Sequence, residues 1–402
     1  MSLATLPLVP MDRRDFLRTS GVLAASSLVP VDLRAAQMSG GGARAGDEDA
    51  LDAALTVLRR AEPGCRLGLS THAPMVAEAL SALGRAERAV ELVEAYRGAL
   101  VPLPSASRRI DSENWRAALG PAYGVSSWTE ANGRWGDWRE YFERELDARP
   151  WRDVLDLWAG RLAPGLSGGA THGVIRTSHA VRALSRRENA TRRGELARSL
   201  AYWASSYEEL PVGPRSGPPH RSLVDARAEV PLYWSAFGRQ PGGRDIVEQL
   251  RHLRELERFG ESRWMFTEPA DPLAALSALT ATFSRVYLRH GSQRHTIPFI
   301  HAITGPAALR RLSPHIRPET ARAAFPHAWQ AAAAIYSAYA RSEDKPGSEE
   351  AKRPFGQLVD DAVRSGDDHA IKFTEVMLAE HASNPDPIYL AAAENAMARL
   401  TG

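Results

Sequence analysis

Apolar residues recur at helical spacing along most of this sequence, and this period constrains the fold more than any other feature. Leu196, Leu200 and Trp203 lie at positions i, i+4 and i+7, and the segment LAALSALTATFSRVYLRH is long, rich in alanine and leucine, and uninterrupted. Such spacing places one apolar stripe along a helix, whereas a half-buried strand alternates at every second residue. The sequence shows no series of alternating strands. It therefore predicts an all-α fold built as a single mainly helical domain.

The first forty residues differ from the rest and are predicted to precede the folded domain. Paired Arg13 and Arg14 in MDRRDFLRTS are followed by an apolar run from 21 to 31 that is too short for a stable membrane span. This order resembles a twin-arginine export signal; a basic N-terminus on a cytoplasmic protein is the alternative. We expect 1–40 to be a signal peptide with a flexible leader and 41–402 to be the helical domain. The partner would be the twin-arginine export machinery, and the location periplasmic or secreted, or cytoplasmic if the true start lacks the signal.

Charge and cysteine content exclude several classes of partner and site. Fifty Lys and Arg residues against 48 Asp and Glu residues leave a formal net charge of +2, and no basic stripe is interleaved with aromatic residues. We therefore expect no nucleic-acid partner. The single cysteine, Cys65, excludes an internal disulfide and a cysteine-based metal cluster, so a metal site here would use nitrogen and oxygen ligands. After the N-terminus, no apolar run approaches eighteen residues, so we expect no stable membrane span.

Four histidines lie in apolar helical segments. His72 lies in STHAPMVAEAL, His172 in THGVIRTSHAVRAL, His301 in PFIHAITGPAALR and His369 in DDHAIKFTE. A buried neutral imidazole must be hydrogen-bonded or bound to a ligand, and metal sites in helical proteins are built from inward-facing side chains on different helices. One such histidine alone is more often an ordinary core residue. Four together predict a buried polar or metal-holding cavity between helices.

Lys372 and His179 are the two other residues expected near this cavity. Lys372 follows His369 by three positions and so shares its helix face. Three outcomes are open for Lys372: it turns outward to pair with Glu375 or another carboxylate, it stays inside as a neutral amine that moves protons, or it reacts with carbon dioxide to form a carbamate that acts as an oxygen ligand. His179 is two turns beyond His172, about 10.5 Å along the helix axis. We expect it beside the metal ligands and not among them.

The segments STHAPM, THGVIRTSHAVRAL, HAITGPAALR and DDHAIKFTE, followed by NPDPIYLAAA, resemble the questin oxidase-like family over about Thr71 to Ala393. The resemblance implies a mainly helical oxidoreductase that uses O2 to oxidise or cleave the ring of an aromatic or quinone-type substrate. It implies non-heme iron (Fe2+) as the metal and NADPH as a candidate electron source. No Gly-x-Gly-x-x-Gly motif follows a strand, so the sequence itself predicts no bound flavin or nicotinamide domain. The implied metal ligands are His72, His172, His301, His369 and Lys372, and the candidate catalytic residues are Lys372 and His179.

Two other functions remain open at this stage. The same ligand set could hold zinc with an open coordination position and act as a hydrolase. Alternatively, a non-catalytic helical protein could keep the cavity and bind a ligand without metal. Oxygen consumption with an aromatic substrate separates the oxygenase from the hydrolase, and tolerance of substitution at His369 and Lys372 identifies the binding protein. The sequence leaves the oligomeric state open.

Overall fold

The computed structural model describes residues 45–59, 61–65, 71–96, 100–102, 105–120, 134–220, 222–266, 268–291 and 295–401. The predicted signal peptide and leader, 1–40, lie outside these described residues. Apart from one short antiparallel ladder, the described chain is helical, which confirms the predicted all-α class.

The helices and strands of the described segments are named in chain order. They are α1 (Ala45–Leu58), β1 (Ala61–Cys65), α2 (Ala73–Ala82), α3 (Glu87–Tyr96), β2 (Leu100–Pro102), α4 (Trp115–Ala118), α5 (Trp135–Ala148), α6 (Trp151–Leu162), α7 (His172–Arg186), α8 (Ala190–Ser205), α9 (Leu223–Glu229), α10 (Tyr233–Phe237), α11 (Ile246–Arg251), α12 (Pro272–His290), α13 (Thr296–Leu312), α14 (Pro318–Tyr339), α15 (Phe355–Ser365), α16 (Asp368–Ser383) and α17 (Pro387–Thr401). Strands β1 and β2 pair antiparallel.

Four helices enclose the centre of the fold. Helix α2 packs on α7 and on α16, and α13 packs on the same two helices from the other side. Helix α13 is buried along nearly its whole length, including Phe299, Ile303 and Leu309. A helix that is apolar on all sides belongs inside a protein. Helices α2, α7, α13 and α16 therefore surround a common interior space.

Local sequence signals fix where α16 begins. Gly366 adopts φ of +66° and ends α15, a conformation that glycine reaches without the steric cost of a side chain. Asp367 then caps α16: its Oδ1 accepts hydrogen bonds from the backbone N–H groups of His369 (2.9 Å) and Ala370 (2.8 Å). This cap places His369 in the first turn of the helix.

Close helix contact explains one glycine of α7. A Cβ atom at Gly173 would stand 2.7 Å from the backbone Cα of Trp203 on α8, nearer than real Cβ atoms approach. The backbone of α7 at Gly173 therefore packs directly against Trp203 of α8, just after His172. None of the helices in the described segments is both long and apolar enough to cross a membrane.

Candidate functional site

The four predicted histidines meet in a closed ring between α2, α7, α13 and α16. The ring centroid of His72 lies 4.9 Å from that of His172 and 4.7 Å from that of His369. The centroid of His301 lies 4.6 Å from that of His172 and 5.8 Å from that of His369. Each imidazole thus contacts two others, although 297 residues separate the first from the last in sequence. We call these four side chains the histidine ring.

One pair within the histidine ring is joined directly through its nitrogens. Nε2 of His72 lies 2.8 Å from Nε2 of His172. The opposite nitrogen of His172, Nδ1, faces the carbonyl oxygen of Gly169 at 2.6 Å. The opposite nitrogen of His72 faces Oδ2 of Asp368 at 3.2 Å, and the hydroxyl of Tyr96 also donates to that carboxylate. A backbone oxygen and a carboxylate therefore hold the outer edges of both rings.

A loop in a left-handed conformation positions His172. The residues before α7, namely Gly169 (φ +57°), Ala170 (φ +54°) and Thr171 (φ +65°), all have positive φ. Such backbone costs about 1–3 kcal/mol at each non-glycine residue and persists where surrounding structure enforces it. The same loop supplies the Gly169 carbonyl that accepts from His172, and Thr171 Oγ1 lies 3.5 Å from His301 Nδ1. The strained loop therefore contacts two members of the histidine ring.

Burial favours the neutral form of two ring histidines, His172 and His301. It lowers the pKa of His172 to about 3, and the nearby Lys372 cation acts in the same direction. Burial also lowers the pKa of His301 well below its ordinary value, with further lowering from the other ring histidines and Lys372. Neutral imidazole is the form that binds metal ions, because its second nitrogen carries a lone pair.

Lys372 points into the interior beside the histidine ring. Its side chain is buried, and burial lowers its pKa to about 8, although Asp368 and Asp367 oppose that shift. The outward pairing with Glu375 is not formed, because Glu375 accepts hydrogen bonds from Arg182 and Arg311 instead. A pKa near 8 leaves a far larger neutral fraction at pH 7 than an exposed lysine has.

A small cavity connects the histidine ring to the other predicted residues. His301, His369 and Lys372 line it together with His179 and Arg311. As the side chains stand, the space accommodates about one water molecule. His179 lies on the wall of the same cavity and is not a member of the histidine ring.

Sequence reasoning missed a buried charged network behind His179. Nδ1 of His179 donates to Glu78 Oε2 at 2.7 Å, and Glu78 also accepts from Arg182 (Nε, 2.7 Å) and Arg186 (Nη1, 2.8 Å). These arginines, with His179, hold the pKa of Glu78 well below its usual range, although burial alone would raise it. A signal was present in the sequence: Glu78 and Glu375 are single acidic residues inside the apolar runs MVAEALSA and FTEVML.

The nitrogens of the ring have the chemistry of metal ligands, but they are not arranged as a complete set. Within the described segments, no group of three or more histidine, cysteine, aspartate or glutamate side chains stands ready to hold a metal ion. The His72 and His172 pair comes nearest. Two imidazole nitrogens about 2.1 Å from one ion and at a right angle to each other lie about 3 Å apart, close to the 2.8 Å seen here.

Comparison with known proteins identifies no relative. No protein-family model matches the chain, and no curated protein matches it either. The function is therefore argued from the geometry of the site and from the resemblance stated above.

Proposed function

We propose that this protein is a non-heme metal-dependent oxidoreductase of the questin oxidase-like type, with the histidine ring holding the metal. The observation that carries the proposal is the pair of facing Nε2 atoms on His72 and His172. We further propose that the substrate is an aromatic or quinone-type molecule oxidised or cleaved with O2, a reaction class that comes from the resemblance.

The positions of the N–H protons on His72 and His172 favour a cation between the two rings. Neutral His172 carries its proton on Nδ1, because that nitrogen faces the Gly169 carbonyl, so its Nε2 presents a lone pair. His72 faces the Asp368 carboxylate with Nδ1 and His172 Nε2 with its own Nε2. In the tautomer of His72 that donates only from Nδ1 to Asp368, two lone pairs face each other at 2.8 Å. A cation bound to both Nε2 atoms satisfies them together, and the outer partners then orient both rings, as is usual for metal-binding histidines.

His301 and His369 would complete the set after rotation of their side chains, since no described group of three is ready as it stands. When bound, Fe2+ would supply the activation of O2 that the organic substrate cannot achieve alone. The protein's own part is to keep His172 and His301 neutral, to exclude bulk water from the cavity, and to hold Lys372 and His179 at its wall. Electrons would come from the substrate in a ring cleavage or from NADPH in a monooxygenation.

Lys372 is proposed as the fifth ligand, in carbamylated form. The chain has three lysines, Lys345, Lys352 and Lys372. All of its remaining Lys or Arg positions are arginine. Lys345 and Lys352 are exposed, so the one buried position keeps an amine, which arginine cannot provide. The neutral Nζ amine would add to the carbon of CO2 and release one proton to solvent. The product replaces a cation beside the ring with an anionic oxygen ligand.

Carbon-13 NMR in the presence of labelled bicarbonate tests this modification. We expect one carbamate signal in the wild-type protein that is absent from Lys372→Met and retained when Lys345 and Lys352 are both replaced by arginine. A signal that survives Lys372→Met, or no signal at any CO2 level, contradicts the carbamate and leaves the amine as a proton carrier.

The reaction class is tested by oxygen consumption. We expect the iron-loaded protein to consume O2 when a hydroxyanthraquinone is added, and the assay is run both with and without NADPH. His301→Ala should lose this activity. The cavity must open to admit such a ring, because it now holds about one water molecule. Zinc-loaded protein that hydrolyses esters and consumes no O2 would contradict the oxygenase and favour the hydrolase.

A further inference from the structure

The cavity beside the histidine ring has a cationic wall. Arg311 and Lys372 both line it, and its other polar lining residues are Ser178, Thr304 and histidines. No aspartate or glutamate is among the lining residues of this cavity in the described chain. A water-sized space bordered by Arg311 and by Lys372 in its unmodified form, with no carboxylate in its lining, is an electrostatic setting that favours an anionic ligand.

Arg311 is incompletely paired within the described chain. Its Nη2 lies 3.0 Å from both carboxylate oxygens of Glu375, but Glu375 also pairs with Arg182. Among the described residues, Nε and Nη1 of Arg311 make no hydrogen bond. Burial and the neighbouring Arg182 guanidinium both lower the pKa of Arg311, whereas Glu375 and Glu78 oppose that shift. The Arg311 side chain keeps 14% of its surface exposed, so its Nε and Nη1 can donate to an oxyanion that enters the cavity.

The guanidinium group also selects the shape of the ligand. Its fork of N–H groups matches the two oxygens of a carboxylate, and such charge-assisted bonds are about twice as strong as neutral ones. His179 lines the same cavity, and its Nδ1 is engaged with Glu78.

We propose that this cavity is a carboxylate-binding site in which Arg311 holds the anion beside the histidine ring. The site adds a ligand class to the proposed metal centre but does not depend on the metal. The present space of about one water molecule must widen slightly to admit formate, whereas a larger acid would place its carboxylate here with its body in an opened cavity. Formate and benzoate therefore distinguish a free small anion from the carboxylate end of an aromatic substrate.

Binding of carbon-13 formate to metal-free, full-length protein tests the site, followed by NMR titration. Arg310 provides a matched control: it is the neighbour of Arg311 on α13, but it bonds Ser277 and Glu380 and does not line the cavity. We expect wild type and Arg310→Met to bind formate equally, and Arg311→Met to bind at least about tenfold more weakly, the loss expected for a hydrogen bond to a charged group. Arg311→Lys should bind with intermediate affinity, because it keeps the charge and loses the fork.

Circular dichroism at the titration temperature verifies that each variant is folded. If Arg311→Met is unfolded, the comparison of wild type with Arg311→Lys decides, and equal affinities overturn the proposal. Undiminished binding in folded Arg311→Met, or no saturable binding of formate or benzoate to wild type, also overturns it. Tighter binding of benzoate than of formate, lost in the Arg311 variants, assigns the site to an aromatic acid. Because the protein is metal-free in these titrations, failure here leaves the proposed metal centre untouched, and success here does not establish it.

Discussion

His179 and Glu78 form a buried hydrogen bond of 2.7 Å from Nδ1 to Oε2, and this bond links the cavity to a network of arginines. His72 lies at the N-cap position of α2, and Glu78 lies about two turns further along that helix. His172 begins α7, and His179 lies two turns further along it. The bond therefore fixes the relative register of the two helices that carry His72 and His172. Its loss should disturb both stability and the histidine ring.

Replacing Glu78 should destabilise the fold strongly. Glu78→Gln removes the anion that compensates Arg182 and Arg186, and breaking a buried ion pair costs about 3–5 kcal/mol. We expect a loss of that size in the free energy of unfolding measured in urea. Glu349→Gln is the control, because Glu349 is exposed and such changes usually stay within about 0.5 kcal/mol. Equal stability of the two variants would show that the network contributes little.

The protein should lose stability in mild acid through His179. Burial lowers the pKa of His179 to about 4, although the hydrogen bond that His179 donates to Glu78 opposes this shift, whereas the unfolded chain titrates near 6.5. Below pH 6.5 the unfolded state gains the proton first, so stability is full above that pH and falls as the pH drops toward 4. Between pH 7.5 and 5 the expected loss from this one group is about 2 kcal/mol.

His179→Gln isolates this contribution, since glutamine can still donate to Glu78 and does not titrate. We expect urea unfolding of the variant to show a pH dependence smaller by about that amount, with the slope from the other buried histidines retained. Identical pH profiles of variant and wild type would mean that His179 is not held neutral by the fold.

Asp368 should matter for metal affinity more than its neighbour Asp367. Asp368 faces Nδ1 of His72, and removal of such an outer partner typically weakens metal binding 10–100-fold. Asp367 caps α16, so Asp367→Ala should cost about 1 kcal/mol of stability with little change in affinity. Competition with a chelator measures the affinity of each variant. An equal effect of Asp368→Asn and Asp367→Ala would contradict the role assigned to Asp368.

A substitution in the strained loop before α7 should raise the stability of the fold and weaken metal binding. Ala170 has φ of +54°, which glycine adopts without steric penalty. We expect Ala170→Gly to raise the free energy of unfolding by up to about 1 kcal/mol, because relief of strain exceeds the added chain entropy. The same change should weaken metal binding, since the loop that orients His172 becomes less fixed. A destabilised variant would show that the alanine methyl group packs favourably and that strain is absent.

The sequence predicted the helical class and the ring residues for the same physical reason. Histidines on apolar helix faces must be buried, so His72, His172, His301 and His369 could be selected from twelve histidines before their positions were known. Their meeting in one ring could not be derived from the sequence. The helical period predicts the side of a helix on which a residue lies, but it does not predict which other helix packs against that side. The fate of Lys372 was open for a similar reason: its helix face leads inward, but an aliphatic stem can carry a charge outward.

Two parts of the site depend on tertiary contacts that no local pattern contains. The left-handed conformation of Ala170 and Thr171 is enforced by packing and runs against the preference of both residues. The Glu78 network joins α2, α7, α13 and α16 through arginines whose sequence positions are typical of exposed helix faces. Arginine is common in this chain, so charge alone did not distinguish the buried arginines from the solvated ones.

Iron content of protein purified without oxygen tests the central claim most directly, with wild type, His172→Ala and the partly exposed control His252→Ala compared by elemental analysis. Our account predicts stoichiometric iron in wild type and His252→Ala and its loss from His172→Ala, because His172 supplies one of the two facing Nε2 atoms. Wild-type protein that binds no iron, or His172→Ala that binds as much as wild type, would contradict a metal centre at the histidine ring.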